Sequence, residues 1–135
     1  MVKIIRIDHI AIAVSDLEKT LQFWQETLGL DLKDLREVPQ EKARIAFLPV
    51  GSSDIELVMP TDLDTGLGRF LSKRGPGIHH ICLEVEDLEA MLEQLKSKEV
   101  RLINEEPVIG SGGVKYAFIH PESTYGILLE LYQKL

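Results

Sequence analysis

Two histidines and two glutamates recur at matching places in the sequence and could act together at a metal ion. His9 and His80 hold the same position in two similar strings, IDHIAIAVSDLE and IHHICLEVEDLE, which begin 71 residues apart. Glu56 and Glu130 each interrupt an apolar stretch, IELVMP and ILLELYQ. A buried carboxylate needs a compensating partner, and a cation is one of the few that suffices. Imidazole and carboxylate together suit Co, Ni, Mn, Zn or Fe. The predicted ligands of one divalent cation are His9, Glu56, His80 and Glu130.

Each of these side chains, taken alone, has a simpler interpretation. A single histidine or glutamate is commonly a hydrogen-bonded core residue or a residue on the solvent side of a sheet. The recurrence of both types at matched positions favours the metal. On the first strand, the face that carries His9 also carries Ala11 and Ala13, whose small side chains leave room for a bound group.

The recurrence indicates two homologous halves, divided near residues 73–77. Each half begins with a β-branched apolar run, residues 4–14 and 78–85, typical of a strand. The first helix is expected to start at Ser15 or Asp16 and to end near Gly29, and the second to start at Glu86 or Asp87. The predicted buried helix positions are Leu17, Leu21, Trp24 and Leu28, then Leu88, Met91, Leu92 and Leu95.

Three further strands are expected after each helix. They are residues 31–37, 43–50 and 53–59 in the first half, and 100–106, 114–120 and 126–132 in the second. The predicted fold class is therefore α+β. A single domain, 1–135, would contain two βαβββ modules at about 4–60 and 76–133, related by a pseudo-twofold axis and forming curved mixed sheets around a metal cleft.

Composition excludes several other classes of protein. The net charge of −7 disfavours nucleic acid and anionic membrane surfaces as partners, although a bound dication would still admit an anionic small substrate. No apolar run approaches the length of a membrane span, and no export signal is visible. Cys82 is the single cysteine, so the expected setting is a reducing cytoplasm.

The paired modules and the ligand order His, Glu, His, Glu resemble the vicinal oxygen chelate superfamily of glyoxalases, bleomycin resistance proteins and dioxygenases. The resemblance covers essentially the whole chain. Within that superfamily, GIHHICLEV, EEPVIGSGGVKYAFIHP and GILLELYQ are similar to the methylmalonyl-CoA epimerase family. Repeat and family motif both select His80, and not His79, as the ligand. The resemblance implies an acyl-CoA substrate and a homodimer.

The implied reaction removes the α-proton of methylmalonyl-CoA and returns a proton to either face of the resulting enolate. Glu130 and Glu56 are the predicted catalytic residues. Some bacterial epimerases carry another glutamate in the strand before the hairpin, but Ile45 stands here, so the second base is open between Glu56 and Glu84. The glycine-rich loop with Gly112, Gly113 and Lys115 is a candidate anion-binding segment or a plain turn.

Three rival functions remain. A lactoylglutathione lyase like glyoxalase I is disfavoured because Ala13 stands where that relative uses an arginine to hold glutathione. A metal-free drug-binding protein generally lacks the four ligands. An extradiol dioxygenase uses only two histidines and one carboxylate. His79, His120, Asp8 and Cys82 are expected to have structural roles or none.

Overall fold

The computed structural model describes residues 1–135 and confirms the α+β class. The strands are β1 Ile4–Ala13, β2 Asp34–Val38, β3 Ala43–Val50, β4 Ser53–Pro60, β5 Gly77–Val85, β6 Val108–Ile109, β7 Val114–Ile119 and β8 Leu129–Lys134, and the helices are α1 Leu17–Leu21, α2 Gly66–Arg74 and α3 Leu88–Ser97. The chain divides into two compact units: the first unit is His9–His79, and the second unit is Met1–Asp8 with His80–Leu135. No helix is both long and apolar enough to cross a membrane.

The first unit is a mixed sheet in the order β2-β3-β4-β1. β4 runs parallel to β1 and antiparallel to β3, which in turn pairs antiparallel with β2. Because side chains alternate across each strand, the sheet has two apolar faces. One face packs Ala46, Leu48 and Leu57 against Leu17 of α1. The opposite face packs a second cluster against α2; its members are Ala11, Ala13, Ala43, Ile45 and Val58, with Leu67, Phe70 and Leu71 of the helix.

The first helical segment ends near Leu28 as predicted, but only Leu17–Leu21 is α-helical. Asp16, and not Ser15, caps it by accepting a hydrogen bond from the Lys19 amide at 3.1 Å. After Leu21 the backbone widens into a π-helical segment, Gln22–Thr27, and the Leu28 amide donates to the Phe23 carbonyl at 2.8 Å. The wider turn rotates the following side chains away from the α-helical phase. The prediction that Leu28 is buried is therefore wrong, since it is 55% exposed.

Helix α2 was not predicted, although local signals for it exist. Thr65 is its N-cap and accepts a hydrogen bond from the Gly68 amide at 3.0 Å. Leu67, Phe70 and Leu71 have helical spacing and form its buried stripe. Gly68 lets the preceding loop approach the helix, because a Cβ at this position would lie 2.6 Å from the Leu63 Cα.

The second unit is a mixed sheet in the order β5-β8-β7-β6, with β5 and β8 parallel and the other pairs antiparallel. Helix α3 is capped by Asp87, which accepts from the Ala90 amide at 3.0 Å. Its buried stripe, which includes Leu88 and Leu92 as predicted, packs on Ala117 and Leu131. The first residues of the chain belong here, since the Lys3 carbonyl accepts from the Glu86 amide at 3.0 Å.

Two strands of the second unit differ from the prediction. Residues 100–106 form only an isolated bridge, Leu102 to Ile119, because Asn104 uses its side-chain oxygen to accept from the Phe118 amide at 2.8 Å. A side chain thus replaces the backbone partner of a regular ladder. The last strand starts at Leu129 and not at residue 126, since the Gly126 amide donates to the Pro121 carbonyl and closes a turn there.

Candidate metal centre

His9 and Glu56 form a close pair in the first unit. Nδ1 of His9 lies 3.2 Å from Oε2 of Glu56, and both side chains are largely buried. Glu56 stands directly across from Ala11 on β1 and from Phe47 on β3. The small residues predicted for this face, Ala11 and Ala13, are fully buried in the cluster that packs against α2. This face of the sheet therefore carries an imidazole and a carboxylate as neighbouring potential metal ligands.

His80 and Glu130 form the corresponding pair in the second unit. Nε2 of His80 lies 3.1 Å from Oε1 of Glu130, with side chains that are 12% and 11% exposed. Glu130 stands across from Cys82 on β5 and from Phe118 on β7. The Phe118 ring meets the His80 ring edge to face at 5.4 Å between centroids. This contact orients the imidazole beside the carboxylate.

Each glutamate thus has the same surroundings in its own unit. A small residue of the parallel strand stands on one side and a phenylalanine of the antiparallel strand on the other. The two phenylalanines, Phe47 and Phe118, are part of the repeat, and sequence reasoning left them unassigned. The signal was present in the matching strings IAFLPV and YAFIHP. The repeat therefore preserves a local arrangement as well as residue types.

The donor atoms fit a divalent cation. Two ligand atoms that each lie roughly 2.0–2.2 Å from one ion, at the angles of tetrahedral or octahedral coordination, are separated by about 3.0–3.5 Å. The nitrogen-to-oxygen separations of 3.2 Å and 3.1 Å fall in that interval. A mixed imidazole and carboxylate set suits a first-row transition metal. Each pair can thus supply two adjacent ligands.

The two adjacent histidines of β5 have different partners. The His79 ring packs edge to face on Phe70 of α2, with 5.0 Å between centroids, whereas His80 pairs with Glu130. Successive side chains of a strand point to opposite faces, so only one of the two reaches the carboxylate. His120 has a structural contact: its Nδ1 accepts a hydrogen bond from the Glu122 amide at 3.0 Å. These contacts suit the structural roles expected for His79 and His120.

The carboxylates of Asp8 and Glu84 both pair with the guanidinium group of Arg6. Arg6 lies 2.8 Å from Oδ1 of Asp8 through Nη2 and 2.8 Å from Oε1 of Glu84 through Nε. Both carboxylates are mostly buried in these ion pairs. The Arg6 guanidinium thus holds both carboxylate groups through charge-assisted contacts.

The structure places Lys115 against α3. Its ammonium lies 2.6 Å and 2.7 Å from the two carboxylate oxygens of Glu89, and this hydrogen bonding lowers the pKa of Glu89. Lys115 shares its strand face with Ala117, which packs under α3, and not with Phe118 beside Glu130. Gly112 and Gly113 have φ angles of 74° and 73°, which the turn between β6 and β7 requires.

Known proteins resemble the chain over most of its length. The family model of the Glyoxalase/Bleomycin resistance protein/Dioxygenase superfamily matches residues 8–118. The mitochondrial methylmalonyl-CoA epimerase of Homo sapiens is 37% identical over 129 residues, which cover 95% of this chain and 73% of that protein. The ethylmalonyl-CoA/methylmalonyl-CoA epimerase of Cereibacter sphaeroides is also 37% identical, covering 95% and 97%.

A solved structure agrees with these relatives. A methylmalonyl-CoA epimerase in complex with methylmalonyl-CoA and NH4+ superimposes with a TM-score of 0.89 at 34% identity, covering 98% of this chain and 96% of that one. Sequence and fold therefore agree on one family. The chain belongs to the Glyoxalase/Bleomycin resistance protein/Dioxygenase superfamily.

Proposed function

We propose that this protein interconverts the (R) and (S) epimers of methylmalonyl-CoA. The observation that carries the proposal is the recurrence of a buried histidine–glutamate pair in each unit of a chain whose relatives are epimerases. The solved relative that contains methylmalonyl-CoA supports an acyl-CoA substrate. The activity predicted from the sequence is therefore the one that these relatives are named for.

Epimerisation requires a weakly acidic C–H bond and one acid–base group on each face of the reacting carbon. The reacting carbon lies between a thioester carbonyl and a carboxylate, so its deprotonation gives an enolate. A divalent cation held by His9, Glu56, His80 and Glu130 would supply positive charge where the enolate oxygens become negative. The histidines and glutamates of the two pairs are proposed to hold that ion, and its identity among Co, Ni, Mn and Zn is open.

Glu130 and Glu56 are the proposed acid–base residues. Each is a buried carboxylate beside an imidazole, and each stands in the equivalent position of its repeat. One glutamate, as the carboxylate, takes the α-proton from one face, and the other, as the carboxylic acid, donates a proton to the opposite face of the planar enolate. Ile45 cannot share this work, because it is a hydrocarbon packed among Ala13 and Val58. Glu84 is a weaker candidate because Arg6 holds its carboxylate.

Lactoylglutathione lyase activity is the alternative within the superfamily. A putative lactoylglutathione lyase of Brassica oleracea is 29% identical over 117 residues, which is less than the epimerases share. Ala13 is fully buried in the cluster under α2, so this position offers no cation for a glutathione carboxylate. Both observations disfavour glutathione as the substrate.

A direct assay tests the proposal. The metal content of the purified protein is first measured by elemental analysis. In deuterated solvent, the protein is then expected to exchange the α-proton of methylmalonyl-CoA for deuterium and to equilibrate the two epimers. Methylglyoxal with glutathione should give no lactoylglutathione. Turnover of the glutathione adduct, with no exchange into either methylmalonyl-CoA epimer, would overturn the assignment.

The assembly and location are further parts of the proposal. Short half-sheets leave strand edges that need covering, which favours a homodimer. We expect light scattering at micromolar concentration to give about twice the chain mass of 15.2 kDa. A value near the mass of one chain would contradict the dimer.

The proposed location is a reducing cytoplasm, which is consistent with Cys82, a buried free thiol.

A further inference from the structure

We infer that Arg36, stacked on Phe47, binds an anionic oxygen group of the substrate, either a phosphate of the CoA part or the free carboxylate of the acyl part. The inference rests on the proposed acyl-CoA substrate and adds a residue that neither the repeat nor the metal site includes. The Arg36 guanidinium carbon lies 4.9 Å from the centroid of the Phe47 ring.

The strand register puts this cation on the face that carries His9 and Glu56. Across the first unit, Arg36 stands opposite Ile45, which stands opposite Val58. Two residues further along the strands, the next set of cross-strand neighbours on the same face consists of Asp34, Phe47, Glu56 and Ala11. Phe47 is the direct cross-strand neighbour of Glu56, so the guanidinium above its ring lies about one strand spacing, ~5 Å, beyond the strand of Glu56.

No other lysine or arginine in the four paired strands of the first unit shares this face. Arg44, the next basic residue along the sheet, points to the opposite face and lies 2.9 Å from Glu18 of α1. Lys33 precedes β2 and lies 3.1 Å from Asp54. In a chain of net charge −7, an anionic substrate needs a local positive charge at its site. Arg36 supplies that charge beside Glu56.

The guanidinium is oriented and still accessible. Its Nε lies 3.3 Å from Asp34, and its side chain is 59% exposed. This contact and the aromatic ring hold the plane of the group while the two terminal nitrogens keep their N–H donors for a ligand. Arginine in a fixed orientation recognises phosphate and carboxylate through two parallel hydrogen bonds, which a lysine cannot reproduce.

The experiment compares Arg36→Gln with Arg44→Gln, a matched loss of one positive charge on the opposite face of the same sheet. Two substrates are used: methylmalonyl-CoA, and methylmalonyl-pantetheine, which lacks the phosphates. Binding of CoA and of acetyl-CoA is measured separately by calorimetry, which needs no turnover. Arg36→Lys keeps the charge without the planar fork and should give an intermediate effect.

If Arg36 holds a phosphate, Arg36→Gln should raise KM for methylmalonyl-CoA about tenfold, weaken CoA binding equally and leave KM for the pantetheine thioester unchanged. If it holds the carboxylate, KM should rise for both thioesters while acetyl-CoA binding stays the same. In either case kcat should change less than about threefold, since no proton is moved by this group.

The inference fails if Arg36→Gln matches Arg44→Gln and the unsubstituted protein within about twofold in every KM and every binding constant. Failure of the proposed function would look different. The unsubstituted protein would then not epimerise methylmalonyl-CoA at all, whereas CoA binding by calorimetry would still report whether Arg36 contributes.

Discussion

Replacing Glu56 by glutamine is expected to lower the epimerisation rate by about 10²-fold or more while metal stays bound. In the protein, Nδ1 of His9 lies 3.2 Å from the Glu56 carboxylate. The glutamine side chain keeps an oxygen at this place that can still bind the metal, but it lacks the negative charge. Its amide cannot accept the α-proton as a base. Rates are measured by coupled assay and metal content by elemental analysis.

The stereochemistry of exchange separates a base from a mere ligand. With Glu56→Gln, solvent deuterium should still enter one epimer, because Glu130 remains able to take and return a proton on its own face. Exchange into both epimers at the normal rate would show that Glu56 does not act as a base. Glu84→Gln is the matched comparison, since Glu84 is the other candidate, and it should keep exchange into both epimers.

Replacing His80 by alanine is expected to remove bound metal and to lower activity by about 10³-fold. The imidazole pairs with Glu130 at 3.1 Å and packs against Phe118, so alanine deletes a donor atom and leaves the carboxylate without its neighbour. Metal stoichiometry and kcat/KM report the loss. Circular dichroism checks that the sheet still forms.

His79→Ala is the matched control, because it removes the adjacent imidazole of the same strand. That ring packs edge to face on Phe70, so its loss should cost about 0.5–1.5 kcal/mol of unfolding free energy and leave metal content unchanged. The reverse pattern, with metal lost in His79→Ala and retained in His80→Ala, would reassign the ligand and refute the predicted site.

Local sequence patterns were sufficient for much of the fold. Apolar, β-branched runs placed the strands of the first unit within a few residues. Asp16 and Asp87, each one of two predicted caps, start their helices. These features depend on neighbours within one or two turns of the chain, which a single sequence displays directly. The repeat then identified the glutamates that each stand beside a histidine.

Other elements depended on contacts between distant residues. Asn104 bonds to the Phe118 amide and ends the ladder that residues 100–106 would otherwise form. The π-helical turn after Leu21 changes which side chains face the sheet, and Leu28 becomes exposed as a result. Neither effect has a short-range sequence signature, because competing hydrogen bonds decide both outcomes.

The sequence alone determined the types of the donors, their order along the chain and the family to which they belong, because a repeat preserves identity and spacing. The repeat also selected His80 over His79, and His80 lies beside Glu130. Only the tertiary structure decided that Lys115 is held by Glu89 and that Arg36 lies over Phe47. Such choices follow from which strands pair and in which register, and side-chain contacts across strands form between residues that the linear order keeps apart.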